Sequence, residues 1–252
     1  MSKPLIVANW KMNPATFRAA KKLLEVTRKA AMSATGATLV VAPPTVFLRE
    51  LRAGYKGKRL FFAAQDVSSE PGGAHTGELS ILQAKDAGAA YCIIGHSERR
   101  AGGETNDDTR KAIVAALEAR ITPILCIGER ARGNTGEHLE FVKEQLQTGF
   151  ADVPQSKVGK VIVAYEPVWA IGGEEAMKPR DMHEMAIFIR KTLVGLHGDG
   201  ARSFKILYGG AATEGNATDM LRHGDVDGLL VGHVSVDPER FEALFKAVSG
   251  KV

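Results

Sequence analysis

Glu166 is the residue of this chain best placed to move a proton. It stands in Ala164-Tyr165-Glu166-Pro167-Val168-Trp169-Ala170-Ile171-Gly172-Gly173, directly after the apolar run Val161-Ile162-Val163-Ala164. A run without polar alternation suits a strand covered on both faces, so the carboxylate emerges at that strand's end. Pro167 fixes φ and lacks an N–H, which stops sheet pairing at once. Trp169 and Ile171 give the next stretch an apolar underside, and Gly172 and Gly173 let its backbone approach a ligand. The order reads as a base followed by a lid made of Pro167, Val168, Trp169, Ala170, Ile171, Gly172 and Gly173. Taken alone, the stretch also fits an ordinary strand-to-loop corner with a surface carboxylate.

Other strand ends carry complementary groups. Lys11, in Asn9-Trp10-Lys11, offers a fixed positive charge, with a solvated surface lysine as the alternative. His96 follows Tyr91-Cys92-Ile93-Ile94-Gly95, and Ser97 is expected to cap the next helix. At a helix N-terminus, positive partial charge disfavours imidazolium and leaves a neutral imidazole able to donate a hydrogen bond. A structural or metal-binding histidine stays open at this point, although no His-Glu-x-x-His pattern or Cys/His cluster supports a metal. Tyr208-Gly209-Gly210-Ala211 and Val231-Gly232-His233 are glycine-bearing turns leading toward helices, which aim N–H groups at an anion such as phosphate. A carboxylate, a neutral imidazole, an ammonium and a phosphate cradle together suit proton transfer beside the carbonyl of a small phosphorylated sugar.

Bringing these groups together is the task of the fold. Short apolar runs begin near residues 5, 38, 60, 91, 122, 161, 205 and 227. Between them lie segments with helical apolar spacing: Phe241, Leu244, Phe245 and Val248 after Asp237 as N-cap and Pro238 at the first helical position, Met182, Met185, Ala186 and Ile189, and Leu139, Val142 and Leu146. Strand and helix alternate to the end, which argues an α/β fold with a parallel sheet and helices outside, in one domain over residues 1–252. An open doubly wound sheet could use the same string. In it, strand ends about 4.8 Å apart would spread the candidate residues over roughly 30 Å, whereas a closed (β/α)8 TIM barrel brings them to one mouth.

Composition narrows the remaining classes. Over 252 residues, 44% are hydrophobic and 25% charged, enough for a full core and too ordered in pattern for a disordered chain. The formal charge of +4 is not gathered into a nucleic-acid stripe, because the purely basic runs, such as Lys21-Lys22 and Arg99-Arg100, are only pairs. No apolar run reaches membrane-spanning length and strand-like residues begin by Leu5, so a cytoplasmic protein without a signal peptide is expected. Cys92 and Cys126 sit inside strand-like runs and read as buried, reduced thiols.

Four signatures resemble the triosephosphate isomerases over essentially the whole chain: Ala8-Asn9-Trp10-Lys11-Met12-Asn13, Gly95-His96-Ser97-Glu98-Arg99-Arg100, Ala164 to Gly172, and Tyr208-Gly209-Gly210. The resemblance implies cofactor-free interconversion of dihydroxyacetone phosphate and D-glyceraldehyde 3-phosphate through an enediolate, in glycolysis and gluconeogenesis. Glu166 would be the base, desolvated beneath Trp169 and Ile171, with His96 and Lys11 as electrophiles. Asn9, Lys11, Gly172, Ala211, Gly232 and His233 would bind substrate, and Ser97, Glu98 and Cys126 would support the site, Glu98 from behind. No metal is implied. Gly73-Ala74-His75-Thr76-Gly77-Glu78 is similar to the segment by which this family inserts a loop into its partner, implying a homodimer with His75 and Thr76 in the contact. An isomerase of a longer ketose phosphate, such as a tetrulose phosphate, and a non-catalytic binding or scaffold barrel are the alternatives.

The chain departs from the family pattern at four places. Ala211 stands where a serine is usual, removing a hydroxyl donor worth about 1.5–3 kcal/mol to a charged phosphate. His233 replaces a glycine, adding bulk or charge beside the phosphate. Gly173-Glu174-Glu175-Ala176 brings acid into the lid's hinge, and the loop after Arg100 is one residue short.

Overall fold

The computed structural model describes residues 3–33, 36–133, 136–171 and 176–250. The elements are β1 (Leu5–Asn9), α1 (Phe17–Ser33), β2 (Thr38–Ala42), α2 (Thr45–Gly54), β3 (Leu60–Ala64), α3 (Ile81–Asp86), β4 (Tyr91–Ile94), α4 (Ser97–Ala101), α5 (Asn106–Ala119), β5 (Thr122–Ile127), α6 (Glu137–Phe150), β6 (Ile162–Tyr165), α7 (Pro179–His197), β7 (Ile206–Tyr208), α8 (Ala217–His223), β8 (Gly228–Val231) and α9 (Pro238–Ser249). All eight strands are parallel and close in sequence order. The seam is β1 on β8, with Leu5 opposite Gly228 and Ala8 opposite Val231.

The unbroken apolar runs follow from this closure, since alternate residues enter two different cores. Val7, Val40, Ile93, Ile124, Ala164 and Leu230 point into the barrel and fill it. Their neighbours Ile6, Val41, Cys92, Leu125, Val163 and Val231 point outward and pack beneath the helices. From the helix side, Val142 and Leu146 of α6, Met182, Met185 and Ile189 of α7, and Phe241, Leu244 and Phe245 of α9 complete that outer layer.

Helix starts are set by local chemistry. Thr105 and Asp108 form a reciprocal capping box at α5, as Ser80 and Gln83 do at α3. Asp237 accepts from the N–H groups of Glu239 and Arg240 at 3.1 Å each and caps α9, with Pro238 in the first turn as expected. Among the described residues, no helix is long and apolar enough to cross a membrane.

Candidate active site

Every strand ends at the same rim, and the candidate groups sit there. Lys11 lies two residues past β1 in a left-handed conformation, φ 52°, rarely adopted by a long side chain. Its N–H donates to Asn9 Oδ1 at 3.0 Å, and its carbonyl accepts from Gln65 Nε2 at 2.7 Å. Gln65, just past β3, also donates to the Ala42 carbonyl at 2.9 Å, so three neighbouring strand ends fix the lysine backbone. The ammonium meets Glu98 Oε1 at 2.6 Å. Partial burial pushes the Glu98 carboxyl upward, but the hydrogen bond and charge of Lys11 outweigh it and hold the group below its ordinary value. Glu98 is 60% exposed, so it holds the ammonium from the solvent side and does not back the site from behind.

His96 itself caps α4; Ser97 is the first helical residue, not the cap expected from sequence. The imidazole can serve because its Nδ1 accepts from the Glu98 N–H at 3.2 Å. With Nδ1 used as an acceptor, the ring proton belongs on Nε2, which faces Glu166 Oε1 at 3.2 Å. Ser97 contributes through its backbone, donating N–H to Glu166 Oε2 at 2.9 Å.

Glu166 follows β6 and is 2% exposed. Burial raises its carboxyl above the ordinary value; the electrostatic influence of His96, the Ser97 N–H and Lys11 pull in the other direction without cancelling the rise. A stronger base results. Cys126 lies nearby with its thiol pushed well up by burial, and by the Glu166 charge next, so it stays a neutral packing group.

Trp169 does not cover Glu166. Its ring is 40% exposed and its indole N–H donates to Glu129 Oε1 at 2.9 Å, with Arg132 over the ring at 5.7 Å. The buried Glu129 also accepts from the Tyr165 hydroxyl at 2.8 and 2.9 Å and from Arg132 Nε at 3.1 Å. Desolvation of the base comes from the barrel mouth, and of the two apolar residues only Ile171 borders the cavity. Gly172, Gly173, Glu174 and Glu175 lie outside the described residues.

The cavity holding Asn9, Lys11, His96 and Glu166 measures about 480 Å³ and extends to Ala211, Gly232 and His233. Two glycines shape it by close approach: a Cβ on Gly209 would stand 2.8 Å from Glu166 Cγ, and one on Gly232 would stand 3.3 Å from Lys11 Cε. The turn after β8 enters a short 3-10 turn, His233–Val236, before α9, and the one after β7 crosses a loop before α8, so neither leads directly into an α-helix. A larger groove of about 1050 Å³ lies between α1 and α2 but contains none of these groups, so chemistry and not size selects the site. His75 and Thr76 lie away from it, in a loop exposed throughout residues 71–78.

Sequence reasoning missed Gln65, Glu129 and the pair Glu214–Arg240, whose arginine also borders the cavity. The rule that selected Glu166 could have found the first two, because Gln65 follows β3 directly and Glu129 stands two residues past β5.

The arrangement can take a proton from carbon beside a carbonyl while donating hydrogen bonds to that carbonyl's oxygen. Known proteins point the same way. The family model described as triosephosphate isomerase matches residues 4–248. A triosephosphate isomerase of Endomicrobium trichonymphae is 37% identical over 248 residues, 98% of this chain and 99% of the relative. Those of Roseiflexus sp. (strain RS-1) and Moorella thermoacetica are 38% and 37% identical, covering 96% and 97% of this chain and 96% and 98% of their own lengths.

Proposed function

This chain belongs to the triosephosphate isomerase family, and on that premise we propose roles for its residues. The activity is aldose–ketose isomerisation of triose phosphate, dihydroxyacetone phosphate to D-glyceraldehyde 3-phosphate and back. The relatives' names favour it over a longer ketose phosphate and over a non-catalytic barrel.

Glu166 removes a proton from the hydroxymethyl carbon of dihydroxyacetone phosphate. The electron pair left behind forms a carbon–carbon double bond, and the carbonyl oxygen gains negative charge. His96 Nε2–H and the Lys11 ammonium stabilise that oxygen; the former carbonyl oxygen then takes up a proton, the neighbouring hydroxyl gives one up to become the aldehyde oxygen, and the protonated Glu166 returns its proton to the former carbonyl carbon. The 3.2 Å approach of His96 Nε2 to Glu166 Oε1 supports this reading most directly. A substrate oxygen that takes over the Nε2–H also frees Oε1 to act as base. Asn9 orients the substrate through its contact with the Lys11 backbone, and Ala211, Gly232 and His233 meet the phosphoryl end. Ser97 and Glu98 position the base and the ammonium, Cys126 packs behind the base, and residues 167–171 close over the substrate. Replacing Glu166 with Gln is expected to lower kcat by about 10³-fold in a coupled assay with glyceraldehyde 3-phosphate, while the protein stays folded. Retention of parental kcat would remove Glu166 from the mechanism.

The whole chain serves as one catalytic domain, acting as a homodimer in the cytoplasm. The exposed loop 71–78 and the 92% exposed Met12, next to Lys11, are the surfaces suited to a second copy. The free, buried Cys92 and Cys126 suit a reducing compartment. Sedimentation at twice the chain mass, lost on Thr76→Arg, tests the dimer.

A further inference from the structure

At its phosphoryl end the cavity is bordered by Arg240, one member of a charged pair that the proton-transfer groups do not explain. Arg240, in the first turn of α9, donates from Nε to Glu214 Oε1 at 3.0 Å and from Nη2 to Glu214 Oε2 at 3.3 Å. Glu214 belongs to the loop that begins with Gly209-Gly210-Ala211, so the pair links the turn after β7 to the helix after β8. That loop is already tied by its own bonds: Asn216 Nδ2 donates to the Ala211 carbonyl at 2.8 Å, and the Thr213 N–H donates to Asn216 Oδ1 at 2.8 Å. The Arg240 backbone is likewise fixed by Asp237. The loop and the helix start therefore have anchors of their own, and a pair exposed to 39% and 37% contributes little to stability.

Its position gives it another use. Arg240 borders the same cavity as Ala211, Thr213 and His233. Two of the guanidinium's five N–H groups are engaged by Glu214, and the others remain able to meet an anion. The hydrogen bonds of the pair lower the Glu214 carboxyl and raise the Arg240 guanidinium, so both stay charged across the neutral range.

We propose that Arg240 is a specificity-determining residue for the phosphoryl group. Its charge draws and orients the phosphate dianion, while Glu214 aims the guanidinium and weakens its field. The proposal rests on the reading of this cavity as a triose phosphate site.

The two partners act on a phosphate with opposite sign, which separates this role from a structural staple. Arg240→Gln is expected to raise KM for glyceraldehyde 3-phosphate, and Ki for inorganic phosphate as competitive inhibitor, by about three- to tenfold, with a smaller change in kcat. Arg240→Lys should recover most of the loss. Glu214→Gln keeps an oxygen for the guanidinium but removes the negative charge, and should lower both constants by about two- to threefold. A staple would move them in the same direction in both variants, because either substitution weakens the link. Raising the salt concentration should shrink the gap between parent and Arg240→Gln. Unchanged KM and Ki in Arg240→Gln, or shifts of the same sign in both variants, overturn the proposal while leaving the isomerase reading intact. A parent protein without triose phosphate turnover or phosphate inhibition overturns both.

Discussion

An alanine at position 209 would test whether the backbone turn after β7 sets the position of the base. Its methyl carbon would stand 2.8 Å from Glu166 Cγ, 3.3 Å from the Tyr165 carbonyl oxygen and 3.6 Å from Glu166 Oε1. Carbon atoms rest at about 3.5–4.0 Å, so something must yield by about 1 Å. The Tyr165 carbonyl is tied to the Gly209 N–H at 2.8 Å, and the Glu166 N–H to the Ile127 carbonyl at 2.7 Å. The Glu166 side chain is then the part that moves. A reacting group misplaced by about 1 Å costs on the order of 10²-fold in rate. The expected result is a kcat about 100-fold lower, with KM changed less than about threefold. Overpacking of about 1–3 kcal/mol should lower the melting temperature by only several degrees. The assay couples dihydroxyacetone phosphate formation to NADH oxidation, and circular dichroism follows melting. Gly232→Ala supplies the contrast, since its methyl would meet the flexible end of Lys11 at 3.3 Å, and a loss of at most about tenfold is expected. A Gly209→Ala enzyme with kcat within about twofold of the parent would refute the reasoning.

Burial, with the Asp66 charge adding to it, raises the Glu104 carboxyl to about 7 from an ordinary 4.5. The folded state therefore holds a proton that the unfolded chain has released, and Glu104 costs stability progressively as pH rises from about 4.5 to about 7. Glu104→Gln should gain on the parent by up to about 3 kcal/mol between pH 4.5 and 8; parallel urea stabilities at the two pH values would contradict this. Glu129→Ala leaves Arg132, the buried Tyr165 hydroxyl and the Trp169 indole N–H without their acceptor and should destabilise by about 3 kcal/mol, against less than about 1 kcal/mol for Glu98→Ala, measured by denaturant unfolding. Nitrogen-15 NMR should find the His96 proton on Nε2; a proton on Nδ1 would contradict the cap geometry.

The barrel was legible because each strand feeds two apolar cores, which writes unbroken runs into the chain and leaves polar residues to mark the strand ends. Lys11, His96 and Glu166 stood out for that reason. What escaped depends on partners that spacing does not encode. Ser97 is a common capping type and His96 is not, yet the ring nitrogen of His96 reaches the Glu98 N–H first. Trp169 reads as apolar cover, but its indole N–H seeks an acceptor and finds Glu129, forty residues earlier. Glu214 and Arg240 are brought together by the pairing of β7 with β8 and lie 26 positions apart. The left-handed backbone of Lys11 is likewise held by Gln65, 54 positions away.

Because all eight strands run in one direction, the molecule has a working end and an idle one. At the idle end the first residues of β1, β2, β4, β5 and β6 border a groove of about 910 Å³ rimmed by Lys157, Lys160 and Lys205. Amine-directed coupling through the exposed Lys160 would fasten the enzyme to a bead or electrode with its mouth turned toward the liquid. Immobilised catalyst attached there should keep its turnover, whereas attachment through Lys11 would silence it.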